Sequence, residues 1–153
     1  MEKTLHVAKM LYNLYYQQKG VCMDEMKMHK LMYFSQRESL MNTNEPLFNG
    51  VFYGWKYGPV LKEVRDQYFG DIVPFAYVSG TVRKETVDLL QKVLERYGSL
   101  SFWKLSCLSH EEFSWKKSRV GLESGDDGDV QLSLDAMRVD AVKERVARKR
   151  GIQ

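Results

Sequence analysis

Two cysteines in 153 residues, Cys22 and Cys107, are too few and too far apart for a disulfide framework or a zinc site; reduced thiols in a cytoplasm fit them best. Long apolar runs are missing as well. No stretch approaches the roughly 20 residues a bilayer-crossing helix needs, so the chain is not expected to span a membrane. The start, Met1-Glu2-Lys3-Thr4-Leu5-His6, leads into an amphipathic pattern and not into an apolar signal core with a small-residue cleavage site, so secretion is not expected. Strong charge of one sign is lacking too: a net charge of +3 and a pI near 8.8 are too mild to indicate nucleic acid by themselves. With no internal repeat, low-complexity tract or long linker, the chain reads as one compact domain able to bury its own core.

The equipment of several enzyme classes is also absent. No Gly-x-Ser-x-Gly turn presents a nucleophile, and no Gly-x-x-x-x-Gly-Lys loop cradles phosphate. Gly121 to Asp129 is rich in glycine and acids, but a calcium-loop reading with Gly128 at the turn puts Gly125 and Leu134 where oxygen ligands are required. It reads as a mobile surface loop. His6 and His29 have no second ligand at i+3 or i+4, so neither begins a metal site. No catalytic residue, metal or cofactor is expected.

What is present is helical periodicity. Leu5, Ala8, Leu11, Tyr12 and Tyr15 predict a helix over 3–18, closed by Lys19-Gly20. Asp24 predicts an N-cap for a second helix to about Met41, apolar over so much of its circumference that it belongs at the centre. The stripe Val82, Thr86, Leu89, Leu90, Val93, Leu94, Tyr97 predicts a further helix stopped by Gly98. Ser101 caps a short one, with Phe102, Leu105 and Leu108 inward and Leu100 and Leu105 as its staple; Ser133 caps a last one carrying Leu134, Met137, Ala141 and Val142. The eight methionines, four of them between Met23 and Met32, are core filling or an adaptable contact surface.

Between these lies Phe52 to Pro59, four aromatic rings among glycines. The preceding stretch, from Pro46, is too rich in glycine and aromatics to be helical, and Asn49-Gly50 is a strong turn dipeptide, so an irregular crossing or small hairpin is expected there. Gly58-Pro59 reads as a helix start, with Val60, Leu61, Val64 and Tyr68 on its apolar face. Phe69-Gly70-Asp71 ends that helix, and Ile72 to Val78 then runs extended through Pro74. The fold expected is mainly α, a compact irregular bundle of about six helices with a short extended or hairpin segment near residues 46–57.

Three blocks resemble the Panacea domain, a SocA/GepA-like bacterial and phage antitoxin domain. They are Lys27-Met28-His29-Lys30-Leu31-Met32-Tyr33-Phe34-Ser35-Gln36, then Pro46-Leu47-Phe48 with Trp55-Lys56-Tyr57-Gly58-Pro59-Val60, and Leu108-Ser109-His110-Glu111-Glu112-Phe113-Ser114-Trp115. The departures are His29 for a glutamine, Ser109 for a threonine and Ser114 for a proline. The resemblance implies a small helical antitoxin, acting by binding and not by catalysis, on a protein toxin encoded by an adjacent gene. It leaves open whether the toxin is blocked directly or delivered to a cellular protease. Residues 1–140 are then the antitoxin domain, and 141–153 a basic helix end and tail.

Partner-binding candidates under that resemblance are Trp55, Lys56, Tyr57, His110, Glu112 and Trp115. Trp55 is expected to be buried, with Lys56 or Tyr57 near a surface. His110 with Glu112 is the nearest approach to an acid–base pair, yet Ser109 to Glu112 also fits a capping box, with Ser114 as an alternative cap; either accounts for the residues without a reaction. Arg145, Arg148, Lys149 and Arg150 are phosphate-binding candidates for an antitoxin that represses its own operon. The preferred reading is a solvated helix end in which Glu144 pairs with Arg148.

Overall fold

The expected long helices form where their caps and stripes put them. A computed structural model describes residues 1–70 and 72–151. Helix α1 (Thr4–Lys19) ends at Gly20, whose φ of 74° lets its N–H reach back to the Tyr16 carbonyl. In α2 (Glu25–Thr43) the Asp24 side chain accepts from the Lys27 N–H, as its position predicts. Ser101 and Ser133 cap α5 (Phe102–His110) and α7 (Leu134–Lys149) in the same way, and α4 (Lys84–Tyr97) stops at Gly98. Two short helices, α3 (Lys62–Asp66) and α6 (Phe113–Ser118), bring the number to seven among the described residues, one more than expected.

Helix α2 is the axis of the molecule, packed against α1, α4, α5, α7 and the hairpin. Every residue from Met28 to Arg37 is buried, nearly three full turns. That run includes polar side chains, and each finds partners. Gln36 accepts from the Leu47 and Phe48 N–H groups and donates to the Phe48 carbonyl, fixing the Pro46–Phe48 crossing. His29 donates through Nε2 to Glu25 and accepts at Nδ1 from the Leu61 N–H. Phe34 stacks on Tyr97 of α4, and Tyr33 meets Phe52 edge-on.

The central segment differs from expectation in register. A hairpin forms, but its strands are β1 (Phe52–Trp55) and β2 (Gly58–Leu61), paired Phe52 to Leu61 and Trp55 to Gly58. The turn is therefore Lys56-Tyr57. Asn49-Gly50 instead crosses the start of α1: Asn49 accepts from the Thr4 hydroxyl, and a Cβ on Gly50 would lie 2.6 Å from Thr4 Oγ1. Gly58-Pro59 is strand, not helix start; the φ of 123° at Gly58 closes the turn, and Pro59 needs no N–H because the carbonyl of its partner across the ribbon, Gly54, accepts from Arg119. Of the apolar face expected for a helix there, Val64 alone lies in α3, while Val60 and Leu61 belong to β2.

Two further segments depart. Pro74 to Tyr77 turns where an extended run was expected, because Phe75 buries its ring against Tyr12 and Tyr68. The end of the preceding helix, expected at Phe69-Gly70-Asp71, comes at Asp66, and Asp71 lies outside the described residues. In α5, Phe102 is turned outward and about half exposed, while Leu105 takes the core position.

Candidate partner-binding site

The hairpin tip is held from below by three side-chain donors. Lys30 Nζ donates to the Tyr57 carbonyl at 2.6 Å, Trp115 Nε1 to the Trp55 carbonyl at 2.8 Å, and Arg119 to the Gly54 carbonyl at 2.9 Å. Each comes from a different part of the chain: α2, α6 and the residue just after α6. From the side, the Gly54 N–H donates to the Val130 carbonyl and the Leu132 N–H to the Phe52 carbonyl, so the segment after the acidic loop runs along β1. Gly54 is required for this closeness, since a Cβ there would fall 1.9 Å from Ser118 Oγ.

With the backbone fixed, the side chains of the tip point outward. Alternation along β1 buries Phe52 and Gly54 and leaves Tyr53 and Trp55 half-buried. Trp55 is thus not the buried anchor expected; Trp115 beneath it is, at 9% exposure. Trp55 donates its indole N–H to Asp129, and Lys56 lies 3.5 Å from Asp127. Tyr57 is more than half exposed.

His110 stacks face to face on Trp115, with ring centroids 4.3 Å apart. Burial holds its imidazole below the usual histidine range, against the opposing pull of the Tyr57 carbonyl. Its Nε2 is buried and, among the described residues, has no hydrogen-bond partner. Burial also pushes the Lys30 ammonium down to about 8; its nearest aromatic face is Phe102. His110, Trp115, Trp55 and Tyr57 therefore form one cluster around the tip.

Glu112 belongs to a different assembly. Its carboxylate accepts from Arg37 at 2.7 Å and from the Tyr33 hydroxyl at 3.1 Å. Burial raises its pKa, and the Arg37 charge works against that rise. Arg37 continues to the Tyr97 hydroxyl, and Tyr33 also meets Ser114 and Asp140. Neither capping reading of the third block holds. Ser109 sits inside α5 and donates to the Ser106 carbonyl; α6 begins at Phe113, with Asp140 of α7 accepting from the Phe113 and Ser114 N–H groups at 2.7 and 2.9 Å. A cap that comes from 26 residues downstream leaves no trace in local spacing. Its only signal is a carboxylate, Asp140, set among the apolar positions of the last helix. Lys30 and Arg119 carry no signal of this kind, because nothing adjacent in sequence marks their carbonyl partners.

The basic end of α7 is partly tied down. Arg148 grips Glu38 of α2 with two nitrogens, at 2.7 and 3.0 Å, and pairs with Glu144 as its spacing predicts. Arg145 donates to the Met41 carbonyl, while Lys149 and Arg150 are on the solvent side of the helix end. Among the described residues no group of histidine, cysteine or carboxylate side chains has metal-holding geometry, and no helix is long and apolar enough to cross a membrane.

The family model for the SocA-like antitoxin, Panacea domain, matches residues 28–116, more than half of the chain. Neither the curated proteins nor the solved structures contain a match to it. The matched span begins in α2, takes in the whole hairpin and ends one residue beyond Trp115, so all three donors to the tip except Arg119 fall within it.

Proposed function

We propose, from the premise that the chain belongs to the SocA-like antitoxin family through its Panacea domain, that it neutralises a co-encoded protein toxin by direct contact at the hairpin tip. The observation that carries this reading is the convergence of the three motif blocks on one backbone turn. Lys30, Trp115 and the glycines hold the turn, and Trp55, Lys56 and Tyr57 are left facing outward on it. A preorganised loop carrying aromatic side chains binds with little ordering cost, and tryptophan and tyrosine are the residues that most often dominate binding energy. His110 and Trp115 act as the platform beneath, and Glu112 supports the fold from the buried network. Blocking and delivery to a protease are both compatible with this contact, and the toxin's lifetime distinguishes them.

Co-expression with each neighbouring open reading frame tests the proposal. The expected outcome is that one neighbour is toxic alone, that this chain restores growth, and that the two co-elute as a complex burying about 1,200–2,000 Å². Tyr57→Ala together with Lys56→Ala is expected to weaken rescue without lowering the melting temperature. Two nontoxic neighbours, or failure of rescue, overturn the reading. A toxin that vanishes in protease-proficient cells but persists in protease-deficient ones identifies delivery.

DNA binding through the basic end is less well supported, because Arg148 is engaged with Glu38 and Glu144. It predicts promoter binding whose salt dependence flattens when Lys149 and Arg150 are removed, by about 0.9 in the log–log slope for each phosphate no longer neutralised.

A further inference from the structure

Beside the hairpin tip lies a groove of about 580 Å³, open to solvent, between Met26 on α2, the outward face of the hairpin, and the acidic loop. Two of the cations that line it, Lys62 and Arg65, are set on rings, of which Trp55 lines the groove with them. Lys62 Nζ lies 3.9 Å from the centroid of Tyr53, and the Arg65 guanidinium is packed between Trp55 and Phe69 at 5.0 and 4.9 Å. One wall is the loop itself, whose carboxylates meet the lining side chains: Asp129 pairs with Lys62 at 3.0 Å and accepts from the Trp55 indole, and Asp127 faces Lys56.

The loop's two carboxylates hold the groove superficially, while Gly128 between them is packed close to Arg119 and the Gly54 carbonyl and stays in place when they are displaced. Arg119 anchors its root through the Glu123 and Asp126 carbonyls, but Asp127 and Asp129 are 96% and 62% exposed at the side chain. Exposed ion pairs of this kind contribute little and exchange readily. We propose that the Asp127 and Asp129 carboxylates are an internal stand-in for an acidic, extended segment of the partner protein, which displaces them to engage Lys56, Lys62, Arg65 and the Trp55 indole. This rests on the reading of the hairpin tip as the toxin-contacting surface and specifies the chemistry it selects.

The groove suits a peptide carboxylate better than a nucleic-acid backbone. Three cations face one fixed carboxylate, Glu25, which approaches Arg65 at 3.9 Å and is bonded to His29, and Met26, Trp55, Tyr57 and Val60 supply apolar surface between them. That is enough charge to orient two or three carboxylates. A phosphate backbone calls for a longer run of cations. The loop also sets a threshold: a partner segment must outcompete tethered carboxylates, which excludes weakly acidic sequences.

The test uses the full chain and a hexaglutamate peptide, followed by the Trp55 indole N–H resonance, assigned by its loss in Trp55→Phe. Hexaglutamate is expected to shift that resonance, to bind the Asp127→Asn/Asp129→Asn variant about threefold or more tightly than the original, and to bind Lys62→Gln more weakly. Equal affinity for the original and the loop variant overturns the displacement, and so does tighter, steeply salt-dependent binding of a ten-residue oligothymidylate. The neighbouring-gene assay separates this idea from the one beneath it. If growth is rescued but Lys56→Glu/Lys62→Glu leaves toxin binding unchanged, the antitoxin reading stands and the acidic-segment inference falls. If no neighbour is toxic while hexaglutamate binding is still governed by the loop, the groove stands and the antitoxin reading falls.

Discussion

Lys30 carries a charge into the middle of α2, where its ammonium donates to the Tyr57 carbonyl and lies over the face of Phe102, with no ion pair to a carboxylate among the described residues. Its folded-state pKa, lowered by burial to about 8 from 10.5, has a consequence for stability whose sign follows from proton counting. Between those two values the unfolded chain binds more protons than the folded one, so this residue's contribution to stability rises as pH increases through about 8 to 10. The full effect is up to about 3 kcal/mol, from roughly 1.4 kcal/mol per pKa unit. At higher pH it is opposed by Tyr33, Tyr68 and Tyr97, whose pKa values are all raised by burial and which must ionise on the folded chain at a cost. Denaturant melts across pH 7 to 10 are expected to show this rise, and Lys30→Met to flatten it; an unchanged profile in the variant would assign the rise to other groups. The two tryptophans at the tip also part company. Trp115→Ala removes a buried ring with its His110 stack and its bond to the Trp55 carbonyl, an expected loss of about 3–5 kcal/mol. Trp55→Ala, half-buried, is expected to cost about 1–2 kcal/mol by the same melts.

At the scale of elements, α6 is too short to be stable by itself, and its N-terminus is completed by another helix. Asp140 supplies acceptors for two of the backbone donors that a helix start leaves unpaired, and so couples α6 to α7. Asp140→Asn keeps one acceptor oxygen and puts an amide where the other was; the expected destabilisation is about 1–2 kcal/mol. Because α6 carries Trp115, hydrogen exchange at Phe113 and Ser114 in that variant is expected to accelerate together with exchange at the Gly54 N–H. Acceleration confined to α6 would mean that the hairpin tip does not depend on this cap.

The whole molecule is fastened by a network that runs through α2, α4, α6 and α7. Glu112 and Arg37 lie at one end, and Tyr97, Arg148, Glu38 and Glu144 at the other. Burial works against the charges of Arg37 and Arg148, but the surrounding carboxylates outweigh it and keep both guanidinium groups above their ordinary pKa. The end of α7 is therefore part of the fold as well as a basic surface. Arg148→Gln is expected to lower stability by about 1–2 kcal/mol, a figure already discounted for the solvent that reaches the guanidinium. Lys149→Gln is expected to change it by less than about 0.5 kcal/mol. Equal melts for the two variants would show that the Glu38 contact contributes nothing.

Much of this architecture was legible in the sequence wherever the signal is local. Gly20, Asp24, Gly98, Ser101 and Ser133 marked helix ends because a cap acts within one turn of its own residue, and the apolar face of α4 showed as a stripe because side chains three and four apart share a side. The breadth of apolar surface on α2 also marked it as central, and helical periodicity along the chain marked the fold as mainly helical. Tertiary structure decided the rest, wherever a backbone group is satisfied by a residue far along the chain. Asn49-Gly50 lost the turn to Lys56-Tyr57 because it is packed against the start of α1, where Asn49 accepts from the Thr4 hydroxyl, and because Lys30, Trp115 and Arg119 reach the carbonyls of the later turn. Glu112 and His110, two residues apart, went to different assemblies because one faces Arg37 in the core and the other stacks on Trp115 at the tip. Spacing encodes contacts within an element; which distant donor meets which carbonyl depends on how the elements pack.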